Sequence, residues 1–355
     1  MMMKYIQKGY IFLALFAAVL LAASPANAVD FAISGQINRA TLYADDGDTA
    51  SWFFVDNDNS STRFRFTGSN DFEAGWKVGI VWEVQFESNP AGEVSMDSSN
   101  TELGGDSFTE RKIEFWVEKW GRLWVGQGDM ASNGTSEVSL SGTDVAAYSS
   151  VSDIGGSFEF KDDGDEIGVT VGNSRSNFDG LSRRDRLRYD TPKWAGFYAS
   201  GSVGQGDIWD VTARYAGDFG WAKLAAAAAY SDGGTRFDYD GQFSSSASLL
   251  FDFGLNFTAS YATQDSDAQG DDPWNIFGKV GYKFLEKHAA SVQWSRTENR
   301  SAEDDKGDSF GLAYVFSPWK SIEFYGTYYL HMLDRDQGSD PDDINIGMFG
   351  GRVKF

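Results

Sequence analysis

The sequence has no cysteine, two histidines and six prolines in 355 residues. Without cysteine there is no disulfide to hold the fold and no thiol to act as nucleophile or soft-metal ligand, although an oxidising compartment is tolerated. Positive charge is scarce: 30 Lys and Arg stand against 52 Asp and Glu, a formal charge of −22. So acidic a chain repels nucleic acid, and that partner class is excluded. Beyond the first thirty residues no apolar run approaches the ~20 residues a membrane helix needs; the nearest is the alanine stretch Ala225 to Ala229. What is abundant is aromatic: 28 Phe, 15 Tyr and 12 Trp, together with 40 Gly. A disordered acidic chain does not carry so many rings.

The N-terminus reads as a secretory signal. Lys4 and Lys8 precede an apolar run from Tyr10 to Ala23, and Ala26-Asn27-Ala28 supplies the small residues of a cleavage site. Residues 1–28 are therefore expected to be a signal peptide removed after Ala28, leaving 29–355 as one domain with a charge of −24. An exported chain without a membrane helix is either soluble or a transmembrane β-barrel, the other structure lipid permits.

From Phe31 onward the dominant signal has period two. Trp76, Val78, Ile80, Trp82, Val84 and Phe86 share one face, and Lys77, Gly79, Val81, Glu83, Gln85 and Glu87 share the other. Leu255, Phe257, Ala259 and Tyr261 oppose Asn256, Thr258 and Ser260 in the same way. Short turns such as Asn70-Asp71, Lys119-Trp120-Gly121 and Asp218-Phe219-Gly220 join one set of strand ends. Long Asp/Ser/Gly/Asn-rich stretches at 45–60, 88–109, 129–184, 232–242, 264–273, 298–307 and 333–343 join the other. Short turns at one rim and long loops at the other predict an all-β, antiparallel transmembrane barrel of sixteen strands. Eighteen would result if Ser157–Phe160 and Glu166–Val171 also crossed; they are expected instead to form a hairpin inside the long third loop. A soluble sandwich would bury a core of Leu, Ile and Val. Here the apolar face is rich in Trp, Tyr and Phe near strand ends, and the opposite face carries Glu83, Arg186 and Arg188, which requires that face to be wet.

Three segments resemble the Gram-negative general porins. They are Arg63-Phe64-Arg65-Phe66-Thr67-Gly68-Ser69-Asn70-Asp71-Phe72-Glu73-Ala74-Gly75-Trp76-Lys77, Trp120-Gly121-Arg122-Leu123-Trp124-Val125-Gly126-Gln127-Gly128-Asp129, and Arg188-Tyr189-Asp190-Thr191-Pro192-Lys193-Trp194-Ala195-Gly196-Phe197. Their order and spacing, with the terminal Phe355, extend the resemblance over nearly the whole mature chain. It implies a homotrimer of sixteen-stranded barrels in the outer membrane, surrounded by lipid and lipopolysaccharide. The third loop would fold into each pore, and Phe355 would be a signal read by the barrel-assembly machinery. It also implies a constriction with basic wall residues facing acidic loop residues. Carried over, Arg63, Lys112, Arg186 and Arg188 fall in wall positions, and Arg65 stands where a Gly is usual. Gln36 stands where the family often has a Lys. Glu137, Asp144 and Asp153 are the candidate loop acids.

Two other chemistries carry less weight. Asp45-Asp46-Gly47-Asp48 and Asp56-Asn57-Asp58-Asn59 offer oxygen ligands for Ca²⁺ but lack the EF-hand order, and no other metal or cofactor is expected. Catalysis would need a nucleophile beside a base. His288 lies on the apolar face, and His331 is too far along its strand from Ser321 and Glu323, so no enzyme is expected. The expectation is a water-filled channel for small hydrophilic solutes and ions, mildly cation-preferring. The alternatives are a sugar-selective porin using Trp116, Trp124 and Tyr325, or a non-conducting adhesive barrel.

Overall fold

The computed structural model describes residues 29–98, 108–265, 270–338 and 340–355. The expected signal peptide, with Lys4, Lys8 and the expected cleavage site, lies outside them, as do parts of the expected loops 88–109, 264–273 and 333–343. The chain begins with β1 (Asp30–Asp45), β2 (Ala50–Asp56), β3 (Thr62–Phe72), β4 (Trp76–Phe86), β5 (Phe108–Glu118) and β6 (Arg122–Asp129). A long connection from 130 to 182 contains the hairpin β7 (Glu159–Asp162) and β8 (Asp165–Thr170). Then follow β9 (Arg183–Asp190), β10 (Phe197–Gly204), β11 (Trp209–Asp218), β12 (Ala222–Asp232) and β13 (Gly241–Phe251). The circuit ends with β14 (Leu255–Asp265), β15 (Trp274–Phe284), β16 (His288–Glu298), β17 (Lys306–Trp319), β18 (Ile322–Asp334) and β19 (Ile344–Lys354).

Every pairing in the main sheet is antiparallel, and the sheet closes on β1. One edge of β1 takes β19 from Gln36 to Asp45; the other takes β2 above and β3 below. β2 and β3 are thus two halves of one stave, and among the described residues the barrel has sixteen staves. β7 and β8 pair only with each other, off the wall. The alanine stretch is part of β12.

The break in the second stave corrects the expected first loop, 45–60. The connection there is only residues 46–49, and the polar Asp/Asn segment behind it returns as strand. Asn57 caps the single turn Asp58–Ser60 by accepting from the Asn59 amide at 3.0 Å. From β1, the Gln36 amide reaches Ser60 O at 2.9 Å and Ser61 O at 2.7 Å, and Asn38 Nδ2 reaches Ser60 O at 2.8 Å. The residue at the family's lysine position is therefore a clamp on the break.

Outward residues are apolar and crowned by rings at both rims. At the short-turn rim Trp76 and Trp120 lie 6.0 Å apart with Lys119 over both, and Trp194 is 79% exposed. At the other rim Trp209 packs on Tyr230. Such belts match the two interfaces of a bilayer. The inward face departs from the expected rule. Along β18, β19, β1 and β2 it is apolar as well, with Tyr329, Leu333, Ile344, Ile346, Leu42, Phe53 and Val55 buried. Ile154, Phe158 and Phe160 of the long connection cover them, and Phe53 meets Phe158 edge-on at 5.6 Å. Part of the lumen is thus a packed core.

Gln36→Ala leaves the buried carbonyl of Ser61 without its side-chain donor, while Asn38 still serves Ser60, at a cost of about 1–3 kcal/mol. The variant should convert from the folded to the unfolded band on semi-native electrophoresis at a lower temperature than the parent.

Candidate pore constriction

The connection 130–182 follows the inner wall around the lumen, and short hydroxyl side chains on the wall let its backbone come close. The Ala131 amide donates to Ser202 Oγ at 2.9 Å and the Ser132 amide to Asp210 at 2.8 Å. The amides of Val138 and Leu140 reach Ser246 and Ser248 of β13 at 3.0 and 2.9 Å. Thr143 meets Ser291 of β16 at 2.8 Å. Lys279 of β15, fully buried, holds Asp144 at 3.0 Å and the Ala147 carbonyl at 2.7 Å. The return arm is fixed by Arg175, whose guanidinium donates to the carbonyls of Asp308 and Met332 at 3.1 and 2.7 Å without a carboxylate partner.

Opposite this path, β3, β4 and β5 bring cations together. Glu83, 1% exposed, takes Arg65 Nε at 2.5 Å and Arg111 Nε at 2.9 Å. Arg63 reaches Ser60 Oγ at 3.5 Å, and Arg352 of β19 reaches the same oxygen at 2.7 Å. Lys112 pairs with Asp129, which also takes Arg183 at 2.9 Å. These cations outnumber the carboxylates they share, so the patch keeps a positive excess.

Strict alternation does not find Arg111, since it would turn away from the lumen if Lys112 faces it. The register shifts between Glu83 and Val84: Glu83 stands opposite Lys112 and Val84 opposite Glu110. Arg111 is the extra residue of a β-bulge, which re-aims its side chain inward. The three consecutive charges Glu110-Arg111-Lys112 were the available signal.

The other wall candidates serve differently. Arg186 pairs with Glu114, both almost fully buried, and donates to the Asp129 carbonyl at 3.0 Å. Arg188 pairs with Asp190 at 2.8 Å and donates to the Met130 carbonyl at 3.1 Å. Both brace the point where the long connection leaves the wall. Of the loop acids, Asp144 is bound to Lys279, away from the arginine patch. Asp153 accepts from Tyr148 and from Ser150 at 2.7 Å, and its charge is felt by Asp58 and Glu87. Glu137 accepts from Asn177 at 3.2 Å and lies within electrostatic reach of Asp153 and Asp179. Arg111 acts in turn on Glu87, so acidic and basic groups approach each other there. Phe355 lies outward, its ring 5.5 Å from Phe64, with its backbone paired to Gly35.

His331 has a partner on the neighbouring strand, Ser309, at 2.8 Å; both are buried beneath the return arm, away from solvent. His288 stacks on Phe284 and Phe316 at the short-turn rim. Asp46 is engaged by Lys161 at 3.0 Å and Asp56 by Arg39 at 2.7 Å. Among the described residues no group of three His, Cys, Asp or Glu is arranged to hold a metal ion.

A closed barrel of sixteen staves, ringed by aromatics outside and crossed inside by one long polypeptide, defines an outer-membrane channel protein. A Gram-negative porin profile matches residues 14–336. No curated protein sequence matches the chain. Among solved structures, the anion-selective porin from Comamonas acidovorans superposes with a TM-score of 0.65 at 14% identity, covering 92% of this chain and 100% of that one. OmpT of Vibrio cholerae in its trimer form gives 0.58 at 15% identity over 93% and 100%. The outer membrane channel DcaP of Acinetobacter baumannii gives 0.57 at 14% over 92% and 97%. The chain belongs to the Gram-negative porin family.

Burial pushes the Glu137 and Asp153 carboxyls up, and Asp179 to about 6. Each is raised above its unfolded value, so the stability it lends the seated loop is complete below the ordinary carboxylate range and is lost as pH rises through the folded value. Hydrogen exchange of amides 134–153, corrected for intrinsic rate, should therefore quicken as the pH rises from the ordinary carboxylate range through about 6 and above. Glu137→Gln should flatten that rise.

Proposed function

We propose that the protein is a diffusion pore for ions and small hydrophilic solutes, narrowed where the arginines of β3–β5 face the acids of the inserted loop. The observation that carries this reading is the bulge at Glu83. It adds Arg111 to Arg63 and Arg65 on one wall of the lumen, while Asp153 and Glu137 of the inserted loop come within electrostatic reach of one another and Asp153 of the wall acids Asp58 and Glu87. Opposed charge across a narrow aqueous path orients dipolar solutes and disfavours apolar ones. The acidic excess of the whole chain supports a mild cation preference, reduced by screening for charges more than ~8–10 Å from the path.

A sugar slide along Trp116 and Trp124 is less well supported. The Arg122 guanidinium lies over both rings, at 4.4 and 5.2 Å, and Tyr325 is buried with its hydroxyl on Asn38 at 2.7 Å. Association as a trimer agrees with the trimer form of the Vibrio cholerae neighbour. Phe355, at the end of the last strand and open to the barrel exterior, suits recognition by the assembly machinery before closure.

Planar-bilayer recording tests the pore. Stepwise KCl conductance is expected, and its absence would favour an adhesive, non-conducting barrel. Neutralising Arg63 and Arg111 together should move the reversal potential under a salt gradient further toward cation selectivity. An unchanged potential would remove both residues from the narrow zone.

A further inference from the structure

At the long-loop end, away from the arginine patch, a cleft of about 400 Å³ opens between the return arm and the connection from β12 to β13. That volume lies within the range of small-ligand sites. Its walls include Phe178 on the arm, Phe237 and Tyr239 on the connection, and Arg300 beyond β16. Phe237 and Tyr239 lie tilted against each other with ring centroids 5.4 Å apart and rest on a small apolar cluster of Met130, Leu181 and Ile208. The rings are therefore fixed from behind.

The cleft's walls carry one cation, Arg300, and two carboxylates, Asp179 and Asp238, while Arg184 lies outside the lining beside Phe237. Arg300 lies 5.8 Å from the Phe178 ring and Arg184 5.2 Å from the Phe237 ring. Among the described residues neither arginine has a carboxylate within ion-pairing distance, and the nearest charge acting on Arg184 is another arginine, Arg236. Neither carboxylate of the lining forms an ion pair with Arg300 among the described residues. Asp179 accepts from the loop amides of Gly134 and Ser136 at 2.5 and 2.7 Å, and Asp238 is exposed. Below, the Gln242 amide is committed to the Phe178 carbonyl at 2.8 Å, which holds the arm at this distance from the wall.

The Arg300 guanidinium, without an ion-pair partner among the described residues, beside fixed aromatic faces suits a flat ring carrying a negative charge. The ring stacks while the anion meets the planar donor fork. We propose that this cleft is a capture site for ring-bearing organic anions such as aromatic carboxylates, loading them at the mouth before they enter the pore. A purely sieving channel needs no such site. The proposal rests on the pore reading only for the onward passage of the solute, so binding and conduction are measured separately.

The probe is benzoate, titrated calorimetrically into the detergent-solubilised full-length protein, with acetate and glucose as controls. Saturable heat is expected with benzoate alone. Arg300→Gln, on an exposed loop, should weaken binding about tenfold, the loss expected when a charge-assisted hydrogen bond is removed. Lys306→Gln at the same rim should leave binding unchanged. In bilayers, benzoate added on the long-loop side should lower the KCl conductance saturably. Equal binding of acetate would show that the rings contribute nothing, and binding of glucose in place of benzoate would make the cleft a carbohydrate site; either overturns the proposal. So does unchanged affinity in Arg300→Gln, or equal weakening in Lys306→Gln. KCl conductance without benzoate binding sinks this proposal alone, whereas benzoate binding without conductance sinks the pore reading alone.

Discussion

Hydrocarbon offers the backbone no hydrogen-bond partners, so every amide and carbonyl within it must be satisfied by the protein. Closure of the ladder meets that demand, and β1 is where closure is achieved. It accepts β19 on one edge and the two halves of the second stave on the other. The break in that stave would leave orphan carbonyls at Ser60 and Ser61 if β1 did not supply Gln36 and Asn38 to them. Once the cylinder is closed its two faces are solvated differently, and the period-two alternation acquires its meaning.

The interior is then divided by the inserted polypeptide. On one side it packs Phe158 and Phe160 against apolar residues of β18, β19, β1 and β2. On another it lies on the serines of β13 and β16. What remains open is bordered by the cations gathered around Glu83. Arg186 and Arg188 do not face that path; they secure the place where the insertion begins. Wall charge therefore performs two tasks, bracing the insertion and setting the local field, and only neighbouring strands reveal which.

Much of this was legible in the sequence, and the parts that were not have physical reasons. Alternation in β4 and β14 named the outward rings and most of the inward polar residues, because solvation on the two faces differs sharply there. The hairpin at Glu159–Thr170 was recognisable as separate from the wall. β2 was not, because its polar flanks Asp45–Thr49 and Asp56–Asn59 resemble loop, and the clamp from Gln36 is a tertiary contact. Arg63 and Arg65 were read as one wall, but a bulge puts Arg111 beside them, and simple counting has no way to register an extra residue. The apolar interior near β19 and the Ser309–His331 contact each join segments distant in sequence, so local pattern carries no trace of them.

The insertion's seat combines serine and threonine hydroxyls and loop amides with buried charges, Lys279, Asp210 and an Arg175 cation resting on carbonyl dipoles. Dissolved electrolyte weakens charge–charge attraction but has little hold on buried dipolar contacts. A cell moving between dilute and briny water would keep an opening of constant size while the electric bias across it fades and recovers. In the proposed pore, calibre and charge discrimination would thereby be uncoupled, each answering to a different property of the medium.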